Sequence, residues 1–180
     1  MIVRGLALHP DFTCKPVARI DIEIARPQPS ALALRYVVTG DIAALKIAAP
    51  AASARTDELW KHTCCEAFLK PPGAENYVEF NLAPSSKWAV YRFSAYRTDM
   101  RDAEDVAAPK INFNAAPDRF ELRAQLMLPS ALDGWRLGLS TVIEEASGAV
   151  CYWALAHAPG KPDFHAPVNF ALDVPPVERP

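Results

Sequence analysis

Apolar side chains recur at every second position in segment after segment of this chain, and that spacing commits it to β-structure. Residues 17–25 (VARIDIEIA) set Ile20, Ile22 and Ile24 against Asp21 and Glu23. Residues 31–39 (ALALRYVVT) set Leu32, Leu34, Tyr36 and Val38 against Arg35. Residues 119–128 set Phe120, Leu122, Ala124, Leu126 and Leu128 against Glu121, Arg123 and Gln125. Successive side chains of a strand point to opposite faces, so each segment offers one apolar face to a core. Seventeen prolines against seven glycines point the same way. A proline in a helix interior costs roughly 3 kcal/mol, so prolines spread along the chain argue against long helices.

Turn signals divide the rest. The prolines of RPQPS turn the first two segments into a hairpin, and EASG joins 135–144 to 149–156 in another. Further strands are expected at 60–70, 76–83, 87–96 and 169–174, with a short one at 44–48 and a helical turn at Pro129–Leu132. Residues 50–58, 97–109 and 157–168 read as loops, and the tail PPVERP as frayed. About ten short strands with regular turns are the pattern of an all-β sandwich or barrel. The 180 residues fit a single domain spanning 1–180 with a core at about 15–173.

Charge and hydropathy remove several function classes. A net charge of −2 gives no basic footprint, so no nucleic-acid partner is expected. No window approaches the roughly 18 apolar residues of a membrane span. The start MIVRGLALHPDF lacks the apolar run of a signal peptide, which is the pattern expected of a cytoplasmic chain. The four cysteines, 14, 64, 65 and 151, form no CxxC or metal spacing and read as buried free thiols.

Chemistry-bearing residues concentrate in 59–97 and 152–167. In YVEFNLAP, Val78, Phe80 and Leu82 take the core face, which leaves Tyr77, Glu79 and Asn81 on the other. Glu66 stands between cysteines, alanine and phenylalanine, where a carboxylate must be paired, hydrogen-bonded or at a rim. Arg92, Arg97 and Arg123 are possible ion partners. Trp60 and Trp88 each follow a polar loop, at the rim where an aromatic face can meet a planar ligand. His157, Lys161, Asp163 and His165 fall within nine residues of one proline- and glycine-containing loop, and loops at sandwich ends carry function. Two histidines without a third ligand make a poor metal site. A hydrolytic carboxylate pair could be drawn from Glu66, Glu79 and Glu144, but nothing in the sequence fixes their separation.

The segments LWKHTCCEAFLKP, YVEFNLAPSSKWAVYRFSAYR, STVIEE and YWALAHAPGKPDFHAPVNFAL together resemble bacterial DOMON-like domains, which are related to family 9 carbohydrate-binding modules. The resemblance spans about residues 15–173. It implies a jelly-roll-like antiparallel β-sandwich that binds a ligand without transforming it. Relatives of this kind bind sugars or haem. A sugar, or a similar small polyhydroxy compound, would stack on Trp60 and bond Glu66, Glu79, Asn81 and Arg92. His157, Lys161, Asp163 and His165 would form the loop wall. Haem binders use a methionine and a histidine, and Met100 and Met127 give no matching pair, so no cofactor is expected. Two rival readings stay open: a haem or redox module, and a protein-interaction domain using exposed sheet edges. The identity of the ligand and the oligomeric state are not encoded in these patterns.

Overall fold

The computed structural model describes residues 1–128 and 134–177. Its elements follow from the alternation. Strands β1 (Ile2–Gly5), β2 (Ala7–Leu8), β3 (Val17–Gln28) and β4 (Ala31–Gly40) come first. Then come β5 (Cys64–Lys70), β6 (Tyr77–Leu82), β7 (Trp88–Phe93), β8 (Arg101–Asp102) and β9 (Lys110–Ala116). The last four are β10 (Arg119–Met127), β11 (Arg136–Glu144), β12 (Val150–Ala154) and β13 (Leu172–Asp173). The named strands pair antiparallel in two sheets. One runs β1-β3-β4-β10-β9, and the other β2-β12-β11-β5-β6-β7-β8 with β13 also on β11. The result is the expected all-β, jelly-roll-like antiparallel sandwich.

Register explains why the sheets pack. Ile20, Ile22 and Ile24 of β3 stand opposite Val38, Tyr36 and Leu34 of β4, so two apolar rows coincide. Phe120, Leu122, Ala124 and Leu126 of β10 extend the same face. Across the gap lie Cys65, Ala67, Leu69, Val78, Phe80, Leu82, Leu137 and Leu139, which close one continuous core. Tyr36 carries a hydroxyl into this core, where it donates to the Glu66 carbonyl at 2.7 Å.

The second sheet is covered on its outer face too. Phe68, Tyr77, Tyr91, Phe93 and Val142 pack there with Phe164 and Phe170 of the closing loop. All six residues of β6 are buried for this reason. Gly138 admits the cover: a Cβ on it would come within 3.2 Å of the Asn169 carbonyl oxygen and 3.3 Å of the Phe68 side chain.

Several expectations are corrected. Thirteen strands occur among the described residues, rather than about ten. Neither β1 nor β2 was foreseen, and β8 and β9 lie where a loop and its flank were expected. Residues 44–48 hold only the isolated bridge Leu45–Glu145, because a short 3-10 turn at Ile42–Ala44 occupies the approach. Trp60 sits in a 3-10 turn, Leu59–Lys61, ahead of a strand that starts at Cys64. The expected final strand shrinks to Leu172–Asp173 behind another 3-10 turn, Pro167–Asn169. The turn expected at Pro129–Leu132 lies outside the described residues.

The cysteines also divide differently. Cys14 and Cys151 are joined in a disulfide with Cα atoms 5.9 Å apart, within the span such a bond allows. Only Cys64 and Cys65 are free. Cys151 faces the core from β12, where the loop after β2 brings Cys14 to it. Disulfides persist in oxidising surroundings, so the bond bears on the expected cytoplasmic location. Thiol titration of the denatured protein should give two thiols without reductant and four with it. Four in both cases would remove the bridge.

Candidate functional site

The outer face of the second sheet is built in rows that cross its strands. One row reads Ala154, Ser140, Glu66, Asn81 and Ala89 from β12 to β7. Its ends are small and its middle is polar, so it forms a depression. One neighbouring row is Tyr152, Val142 and Cys64, and the other is Gly138, Phe68, Glu79 and Tyr91. Glu66 and Glu79 are therefore diagonal neighbours on adjacent strands, with Cα atoms about 7–8 Å apart as such pairs are.

Loops raise this depression into a pocket of about 540 Å³. Trp60 and Lys61 come from the turn before β5, Arg97 and Met100 from the segment after β7, and Pro162, Phe164 and His165 from the closing loop. Val150 and Tyr152 of β12 complete the wall. Trp60 is braced edge-on against Tyr91, with ring centroids 5.7 Å apart. The Tyr91 hydroxyl donates to Asp57 at 2.8 Å.

The floor is a hydrogen-bonded chain. Asn81 Nδ2 donates to Glu79 Oε1 at 2.7 Å, and the Cys64 thiol lies 3.7 Å from Asn81 Oδ1. Ser140 Oγ donates to Glu66 Oε2 at 3.1 Å. The Arg97 amide donates to the Tyr77 oxygen at 3.2 Å, and the Tyr77 hydroxyl is hydrogen-bonded to His165 Nδ1 at 2.7 Å. The other ring nitrogen of His165, Nε2, faces Glu79 Oε2 at 3.7 Å.

Burial sets the charges. Glu66 is 2% exposed, and desolvation, helped by the charge of Glu79, pushes its carboxyl well above the usual range despite Ser140 and Arg97. Glu79 is pushed up to about 7 by desolvation, against the Asn81 hydrogen bond and the Arg97 charge. Desolvation and the nearby guanidinium pull His165 down to about 4. The imidazole is thus neutral near neutral pH, and its approach to Glu79 is no ion pair.

The sequence-derived candidates separate into three groups. Trp60, Glu66, Glu79 and His165 line the pocket. Asn81 and Asp163 support it from behind. Asn81 holds Glu79, while Asp163 accepts from Arg97 Nη2 at 2.7 Å and from the His165 amide at 3.1 Å. Arg92, His157 and Lys161 do not line it. Arg92 shares its side of β7 with the core residue Val90 and pairs with Asp105 at 2.7 Å. His157 Nε2 bonds the Ala7 carbonyl at 2.8 Å and its ring packs against His9. Glu144, the third carboxylate of the hydrolytic reading, is held by Lys46 and His62 at 2.7 Å each. Trp88 lies under the Arg55 guanidinium, 4.7 Å from it, and packs on the core side.

Arg97 was expected only as an ion partner of the carboxylates, not as a wall of the site, and the aromatic wall of Phe93, Tyr152 and Phe164 was not assigned to it. Arg97 sits at φ 53° in the tight turn between Ala95 and Thr98. A non-glycine residue with positive φ is uncommon and worth attention, but the sequence shows only a charged loop there.

No family model matches the chain, and no curated protein is detectably similar to it in sequence. Solved structures are similar to it. A crystal structure of a protein from Bacteroides uniformis, provisionally described as carbohydrate-binding, is 18% identical. The match covers 93% of this chain and 83% of that one at a TM-score of 0.68. A family 9 carbohydrate-binding module from Caldicellulosiruptor kristjanssonii, solved with glucose and with cellotriose, is 14% identical at a TM-score of 0.49. Those matches cover 83% of this chain and 72% and 70% of the respective chains.

Proposed function

We propose that this pocket holds a carbohydrate without transforming it. The observation that carries the reading is the pairing of an aromatic wall with a floor of carboxylates on one concave face. Sugars present flat apolar C–H faces and a rim of hydroxyls, and the pocket answers both. Trp60, Tyr152 and Phe164 supply the apolar surface. Glu66, Glu79 and Arg97 supply hydrogen bonds to hydroxyls, each such bond to a charged group contributing about 1.5–3 kcal/mol. The pocket volume falls within the range of small-molecule sites. The provisional description of the Bacteroides uniformis protein supports the reading.

A binding role fits the carboxylates better than hydrolysis does. Glycoside hydrolysis needs two carboxyl groups that flank the scissile bond. Glu66 and Glu79 rise from adjacent strands of one face and meet a ligand from the same side. The haem reading gains one observation, since Met100 and His165 line the same pocket. Against it, Nδ1 of His165 is hydrogen-bonded to Tyr77 at 2.7 Å, and Nε2 is turned toward the Glu79 carboxyl 3.7 Å away, an approach that iron would have to displace.

A thermal-shift screen over mono- and disaccharides tests the proposal. At least one sugar should raise the melting temperature, and Trp60→Ala should weaken it about tenfold, near 1.4 kcal/mol. No shift with any sugar, or an undiminished shift in Trp60→Ala, would sink the reading.

A further inference from the structure

The cations around the pocket are already engaged, and the carboxyl groups at its floor have no cation of their own. Lys61 at the mouth is paired with Glu58 at 2.7 Å, and Arg97 with Asp163 at 2.7 Å. Neither Glu66 nor Glu79 has a Lys or Arg nitrogen within 4.0 Å among the described residues. Glu66 Oε2 receives one neutral hydrogen bond, and Oε1 has no hydrogen-bond partner among the described residues. Yet Glu66 is 2% exposed and lines the pocket. A buried carboxyl without a cation is costly unless something supplies one.

From this pairing pattern, and resting on the carbohydrate reading, we infer that the preferred ligand is an amino sugar whose primary ammonium sits over Glu66 and Glu79. An ammonium carries three donors and no acceptor, and its charge favours the ionised form of both carboxyls, which then offer it only acceptors. A hydroxyl brings a single donor and no charge. The aromatic wall adds to the preference, because a cation is attracted to the face of Trp and Tyr rings within about 6 Å. Lys61 and Arg97 do not oppose it strongly, since each is neutralised by its own acid. An N-acetylated amino sugar lacks the charge and should lose the advantage.

Isothermal titration with glucosamine, N-acetylglucosamine and glucose near neutral pH tests this. Glucosamine should bind at least about tenfold tighter than the other two. Glu66→Gln, checked for folding by its melting temperature, should bind the three sugars within a few-fold of one another. If glucose or N-acetylglucosamine binds as well as glucosamine, the ammonium assignment is wrong while the carbohydrate reading survives. Glu66→Gln keeping the full glucosamine preference would also overturn the assignment. If none of the three binds and the wider sugar screen is also silent, both fall together.

Discussion

Glu79→Gln should make the protein more stable at neutral and alkaline pH, by about 3 kcal/mol, while leaving it nearly unchanged in acid. The reason is that Glu79 is a carboxyl raised from 4.5 to about 7 by burial. A raised carboxyl contributes its stability fully below about 4.5 and loses it as pH rises through about 7. At 1.36 kcal/mol for each pKa unit, that loss is about 3 kcal/mol. Glutamine removes the titration and keeps the oxygen that accepts from Asn81. Its amide nitrogen would take the place of Oε2, which is 3.7 Å from His165 Nε2 and beyond hydrogen-bond range.

His165 runs the other way. Its folded pKa is depressed from 6.5 to about 4, so its contribution is present above about 6.5 and lost as pH falls through about 4. Between about 4.5 and 6.5 the two slopes oppose each other in the parent protein. In Glu79→Gln the rise due to His165 should stand uncovered. Urea unfolding of both proteins from about pH 4 to about pH 8 measures the difference between them. That difference should grow across the window from about 4.5 to 7 and then level off. A difference independent of pH would mean that Glu79 titrates normally. The same substitution should weaken ligand binding, because a carboxylate that costs stability in the empty pocket is an acceptor for the ligand.

The parts of this fold that could be read from the chain are those with one open face. The hairpin of β3 and β4 and strand β10 alternate because water lies on one side of them and the core on the other. In β5 and β6 both faces are covered, so alternation sorted Val78 from Glu79 but gave no sign that the outer side has its own roof. Strands of two to four residues, such as β2 and β8, are too short to show a period and exist through their pairing. In β9, Ile111 and Phe113 do alternate, but between asparagines, which strands disfavour.

The site divides along a similar line. Glu66, Glu79 and Trp60 stand out because a carboxylate inside a strand, or a tryptophan at a loop end, is locally unusual. Arg97 does not, since its meaning comes from Asp163, 66 residues away in sequence. The bond between Cys14 and Cys151 spans 137 residues and leaves no local trace either. Arg92 was the opposite error. It has the residue type of a ligand contact and the wrong parity for the pocket face.

Tyr77→Ala should cost about 3–5 kcal/mol, the range for removing a large buried aromatic side chain. The ring stacks on Phe93 at 4.7 Å and meets Phe170 and His165 edge-on at 5.6 and 5.8 Å. Its hydroxyl joins the Arg97 amide to His165 Nδ1, so the turn after β7 and the closing loop are tied through one oxygen. Tyr77→Phe isolates that oxygen and should cost about 1–3 kcal/mol for the polar groups left unpaired. The alanine variant's damage should be local. Tyr77 belongs to the cluster on the outer face, separate from the core between the sheets. Hydrogen exchange should therefore accelerate most in residues 94–100 and 155–170, while the β3–β4 hairpin keeps its protection under native conditions. Sugar binding should fall with that protection, because Arg97, Phe164 and His165 are placed by the same cover. Equal acceleration in β3 and β4 would show that the roof and the sandwich open as one unit, and the pocket could then not be treated as a layer resting on an independent scaffold.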